Sequence, residues 1–131
     1  MFIDASAMVA MMTDEDDARS LAARMQSSED RMTSPSAVWE TAINVARILG
    51  IEIADASDAV QAFLTTLNIE LVSIPPKAAF LAIEAFDRYG KDRHPAELNF
   101  GDCLTYACAR YYRLSLLYKG NAFSQTDVET A

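Results

Sequence analysis

Three acidic residues stand out because they interrupt apolar surroundings. Asp4 follows Phe2-Ile3 and precedes Ala5-Ser6-Ala7. Glu40 sits within Ala37-Val38-Trp39-Glu40-Thr41-Ala42, and Asp102 lies three residues after Asn99. Carboxylates brought together repel, so such a group either takes up a proton or is neutralised by a cation. Oxygen donors with no His or Cys among them favour a hard ion, Mg²⁺ or Mn²⁺. An ion held by a few carboxylates keeps positions for water and for phosphate oxygens, which suits hydrolysis of phosphate esters. Ser6 is placed beside Asp4 to hold a metal-bound water or a phosphate. Each residue also has a plainer reading. Asp4 suits a helix cap and Asp102 a first-turn partner of a helix dipole. Glu40 is harder to dismiss, because an unpaired buried Glu is rare.

These side chains act together only if the fold gathers them. Phe2-Ile3 reads as a short buried strand that hands over at once to a helix over 5–12. Thr13, with Asp16 three residues on, predicts the start of a second helix. Arg31-Met32-Thr33 is a weak strand, and Ser34-Pro35 is a strong helix start that runs to Gly50. A further helix is expected from Asp55. Residues 69–74 alternate apolar and polar like a strand, and Pro75-Pro76 opens a helix carrying Ala79, Phe80, Ile83, Phe86 and Tyr89. A polar loop over 91–98 leads to Asn99 as N-cap of a helix over 100–112. Residues 114–118 form a last buried strand, and 126–128 offer a short edge strand.

Strands alternating with helices predict an α/β fold: one domain over 1–131, three layers α/β/α, and a short central parallel sheet of four to five strands. In such a sheet the helix N-termini that follow strands share one rim. Asp4 and Glu40 therefore converge, and Asp102 joins them if its helix starts at that rim.

Composition narrows the field. The 131 residues are 51% hydrophobic, enough for a packed core, and 11 Lys+Arg against 19 Asp+Glu leave a net charge of −8. An acidic protein is not an obvious nucleic-acid binder, since phosphate contacts are mostly electrostatic. RNA binding would need bound cations and a local basic patch, for which Arg88, Lys91, Arg93, His94 and Lys119 are candidates. No stretch approaches about 20 apolar residues, so no membrane span is expected. No secretory leader is visible, and Cys103 and Cys108 read as reduced core residues, so a cytoplasmic location is expected.

Four blocks in order carry a family resemblance. They are Phe2-Ile3-Asp4-Ala5-Ser6-Ala7, Trp39-Glu40-Thr41, Leu98-Asn99-Phe100-Gly101-Asp102-Cys103 and Leu116-Leu117-Tyr118-Lys119-Gly120-Asn121. The chain resembles PIN-domain proteins over its whole length, and most closely the VapC-type toxins of bacterial toxin–antitoxin pairs. The resemblance implies an endoribonuclease dependent on Mg²⁺, or Mn²⁺ in its place, that cleaves structured RNA such as tRNA or rRNA. It also implies a VapB-type antitoxin partner and a homodimer. Asp4, Glu40 and Asp102 match the family's acidic metal-binding positions, and Ser6 matches the hydroxyl beside the first of them. One block departs: Gly120-Asn121-Ala122-Phe123 has Ala122 where the family has an Asp. That implies a weakened or inactive nuclease unless Asp127 substitutes.

Two other classes compete. Ala122 favours a catalytically inert PIN-like module that only binds a partner. Trp39, Ile43 and Phe63, which exceed a single apolar stripe on their helices, suit an antitoxin groove or a dimer face as well as ordinary core packing. A receiver-type phospho-acceptor needs an Asp closing a middle strand, and Ile74-Pro75-Pro76 supplies none.

Overall fold

A computed structural model describes residues 1–131. Its elements in chain order are β1 (Phe2–Ile3), α1 (Ala5–Met12), α2 (Ala18–Gln26), β2 (Met32–Thr33), α3 (Pro35–Leu49), α4 (Ile53–Thr66), β3 (Glu70–Leu71), α5 (Ala78–Tyr89), α6 (Phe100–Tyr112), β4 (Leu116–Leu117) and a 3₁₀ turn at Phe123–Gln125. The four strands form one parallel sheet in the order β3-β2-β1-β4.

Register explains the three layers. Phe2 pairs with Leu116 and Ile3 with Leu117. Successive strand residues point to opposite faces. Phe2 and Leu116 therefore enter one core, packed by α5 and α6 through Ala85, Tyr89, Cys103, Tyr106 and Ala109. Ile3 and Leu117 enter the other, packed by α1, α2 and α4 through Met8, Leu21, Met25, Val60 and Leu64. All four strand residues are fully buried. Each stabilises the fold by roughly 1.5–3 kcal/mol relative to exposure.

Local chemistry sets the helix ends. Ser34 is the N-cap of α3 and its Oγ accepts the Ala37 amide at 3.2 Å; Pro35 follows at the first helical position. Gly50 closes α3 at φ 65°, a left-handed conformation open to glycine without steric cost. Asn99 caps α6.

Several elements differ from the sequence expectation. Thr13 closes α1, its hydroxyl donating to the Val9 carbonyl at 2.7 Å. Asp14 then turns the chain at φ 54°, so α2 begins only at Ala18. Helix α4 begins at Ile53, ahead of Asp55. The alternating run 69–74 yields only β3, because it lies at the sheet edge with a single neighbour and Pro75-Pro76 halts it. On α5, Tyr89 is buried but Phe80, Ile83 and Phe86 are exposed, Phe80 by 74%. The tail pairs at its very end: Leu116 donates to the Glu129 carbonyl and Ala131 to that of Leu116, so no strand forms at 126–128. There Thr126 Oγ1 receives the Val128 amide and donates to Phe123 O, which folds the segment into a turn.

Ser34→Ala leaves a buried helix N-terminus without its side-chain acceptor. The variant is expected to lose about 1 kcal/mol of stability, read by urea denaturation with an unchanged slope.

Candidate active site

The shared rim of the parallel sheet holds the acidic residues. Asp4 is the N-cap of α1, and its Oδ2 accepts both the Ser6 amide, at 3.0 Å, and the Ser6 hydroxyl, at 2.6 Å. The Ser6 Oγ in turn accepts the Lys119 amide at 3.0 Å, and Asp4 N donates to Leu117 O at 2.9 Å. One hydroxyl thus ties the first acid to the exit of β4. Asp4 is only 5% exposed.

Glu40 and Asp102 arrive on α3 and α6. Asp102 Oδ2 accepts the Asn99 amide at 3.1 Å while Asn99 Oδ1 accepts the Asp102 amide at 2.9 Å, a reciprocal capping box. Glu40 lies over the first turn of α6, against Gly101.

The three carboxylates feel one another. Burial, then Asp4, then Asp102 push Glu40 from 4.5 up to about 7. Burial pushes Asp102 from 3.8 up to about 6; the Asn99 amide opposes that rise and Asp4 adds to it. No cation relieves them, since the chain's ion pairs involve other acids: Asp127, Asp87, Glu15 and Asp17. An oxygen-only donor set with this uncompensated charge fits a hard divalent ion. The set is not drawn into a closed three-ligand cage, however. Asp4 and Asp102 each commit Oδ2 to a helix cap, leaving Oδ1 of each for a ligand.

Other candidates are placed elsewhere. Asp127 does not stand in for an acid at 122. Its Oδ1 accepts the Tyr106 hydroxyl at 2.5 Å, and its Oδ2 pairs with Arg110 at 3.0 Å and Arg88 at 3.4 Å. Burial raises its pKa, but Tyr106 and the two arginines outweigh that and hold it below the usual range. The proposed basic patch is largely committed within the chain. Arg88 serves Asp127, Arg93 pairs with Asp87, and Lys119 bridges Glu15 and Asp17. His94 packs edge-on against Tyr89 and its Nδ1 accepts the Ala96 amide at 3.0 Å, a structural role in the loop. Cys103 and Cys108 are free, buried and inert; burial pushes both thiols up to about 11, with Asp102 adding to the rise at Cys103. Trp39 is 66% exposed, so it is available to a partner, whereas Ile43 and Phe63 are half-buried.

The capping box at Asn99 and the bare surface of Gly101 were not singled out from the sequence. The Asn99-x-x-Asp102 spacing signals the first. The second depends on two helices about sixty residues apart in the chain, which no local pattern reports.

The description "PIN domain" matches residues 1–129. A protein named Ribonuclease VapC from Mycolicibacterium smegmatis is 39% identical over 128 residues, covering 98% of this chain and 97% of that one. Ribonuclease VapC30 of Mycobacterium tuberculosis is 35% identical over 130 residues, covering 99% and 97%. The crystal structure of Mycobacterium tuberculosis VapC20, described as a sarcin–ricin-loop-cleaving toxin, superposes with a TM-score of 0.76 at 21% identity, covering 99% of this chain and 97% of that one.

The raised pKa of Glu40 has a consequence for the metal-free protein. A carboxyl whose folded pKa exceeds its unfolded value favours folding only while protonated. Its contribution is complete below the unfolded value of 4.5 and fades as pH rises through about 7. Glu40→Gln is therefore expected to stabilise the metal-free protein at pH 7.5, by about 1 kcal/mol after allowance for solvent screening. The advantage should vanish at pH 4 in matched thermal melts.

Proposed function

The chain belongs to the PIN-domain family, among the VapC-type toxin ribonucleases, and we propose that its nuclease activity depends on a divalent cation held by Asp4, Glu40 and Asp102. The observation that supports this reading is the seating of Glu40 from α3 on the first turn of α6, beside Asp102, with Asp4 near enough to raise the pKa of both. Asp4 and Asp102 offer a free oxygen each, and Glu40 adds the third charge. Mg²⁺, or Mn²⁺ in its place, supplies Lewis-acid stabilisation of charge on the attacked phosphate when bound. Ser6 fixes the rotamer of Asp4 through a 2.6 Å hydrogen bond and is itself fixed by the Lys119 amide. With its carboxyl pushed up to about 7, Glu40 would hold a divalent cation better as pH rises through neutrality.

The substrate class proposed is structured RNA, of the tRNA or rRNA kind. The partner proposed is a VapB-type antitoxin, whose arginine would suit the acidic pocket. Apolar surface supports association. Ile48, Leu49, Ile51 and Ile53 are exposed where α3 meets α4, with Trp39 further back on α3. A second apolar face, around a groove of about 510 Å³ between α5 and α6, suits a homodimer. No helix is long and apolar enough to cross a membrane.

Ala122 favours a second reading, an attenuated or inert relative that retains partner binding. The half-buried methyl supplies no ligand, and Asp127 is held elsewhere by Tyr106 and two arginines.

Asp4→Asn and Asp102→Asn should each lower Mg²⁺-dependent cleavage of a structured RNA by about 100-fold or more; wild-type rates in both would remove the metal-site reading. Ala122→Asp should raise that activity by about 10-fold or more. Equal cleavage before and after the change would show that the alanine costs nothing, whereas cleavage appearing only with Asp would mark the chain as an inert relative.

A further inference from the structure

We infer that Gly101 is a positioning residue for RNA cleavage: its missing side chain is the seat on which the Glu40 carboxylate rests. The inference builds on the proposed role of Glu40 in the reacting site. A Cβ built on Gly101 would lie 1.7 Å from Glu40 Oε1, 2.7 Å from its Cδ and 3.1 Å from Oε2. The whole carboxyl group therefore occupies the space that any other residue would fill.

Backbone conformation does not require the glycine. Gly101 lies in the first turn of α6 and is not among the residues with positive φ, unlike Gly50 and Gly120, which have open space where a Cβ would go. Within a helix, glycine costs up to about 1 kcal/mol relative to alanine. What the glycine gains here is room for a side chain from another helix. The seat also sets direction. Glutamate has three rotatable bonds, and burial and repulsion from Asp4 and Asp102 would drive it outward. Beneath it, the N-terminal turn of α6 presents amide groups and the positive end of the helix dipole, which favour an anion. Gly101 lets the carboxylate reach that turn and so keeps the third acid beside the other two.

Gly101→Ala tests this. The variant should fold with unchanged or slightly higher thermal stability, since alanine is the better helix former and only the far end of Glu40 must move. With a structured RNA substrate, kcat should fall by about 10- to 100-fold while KM stays within about twofold. Calorimetric affinity for Mn²⁺ alone should weaken by about 10-fold. In the E40D background the shorter carboxylate clears the new methyl, so adding G101A should change Mn²⁺ affinity by less than about twofold. Wild-type cleavage and Mn²⁺ binding in G101A, or full additivity with E40D, would overturn the inference. If G101A does not fold, E40A/G101A should, because the obstructing carboxyl is gone; its failure to fold would equally overturn it. A separate outcome distinguishes the underlying reading: E40Q cleaving at the wild-type rate removes Glu40 from the reaction, and Gly101's role with it.

Discussion

The burial of Phe2 and Ile3 on opposite faces of the sheet is the constraint from which the site follows. Phe2 enters the layer closed by α5 and α6, and Ile3 enters the layer closed by α1, α2 and α4. A two-residue strand with both side chains fully buried admits little slip, because moving by one residue would exchange the two layers. Asp4 is thereby fixed at the strand's carboxyl end, where its amide completes the pairing with Leu117 and its carboxylate caps α1. The acid is held in place by hydrophobic packing that begins one residue before it.

That constraint also explains why acids with little solvent are tolerated. Each carboxylate serves a structural need or rests on a helix terminus: Asp4 caps α1, Asp102 completes the box that starts α6, and Glu40 lies on the first turn of α6. Helix N-termini offset part of the repulsion that the cluster generates. The protein therefore gathers acids without an internal arginine or lysine to neutralise them, so Glu40 and Asp102 hold their protons to higher pH, and Lys119 spends its charge on Glu15 and Asp17 instead.

Much of this was legible from local chemistry. Ser34-Pro35, Gly50 and Asn99 marked helix ends that the structure reproduces, and the alternation of strands and helices gave the layered parallel sheet. The misplacements share a cause. Thr13 has the chemistry of an N-cap but uses its hydroxyl to close the preceding helix, and residues 69–74 have a strand's period without a second neighbour to pair with. The exposed Phe80, Ile83 and Phe86 have a core pattern that no other element of this chain covers. Glu40 and Asp102 could be named from their surroundings, but the contact of Glu40 with Gly101 could not, because it exists only after α3 and α6 pack. The tethering of Asp127 is of the same kind: its three partners come from α5 and α6, far from it in sequence.

The pairing of Phe2 with Leu116 joins an interior strand of the sheet to an edge strand more than a hundred residues away in sequence. Without Leu116, one side of β1 has no partner strand, although α5 and α6 still face Phe2. Without Lys119, Ser6 likewise lacks the amide that orients it toward Asp4. Contacts so distant in sequence slow folding, because the intervening loop must close before they are made. A chain lacking β4 would thus keep its acids but lose the contact that fixes Ser6 against the first of them.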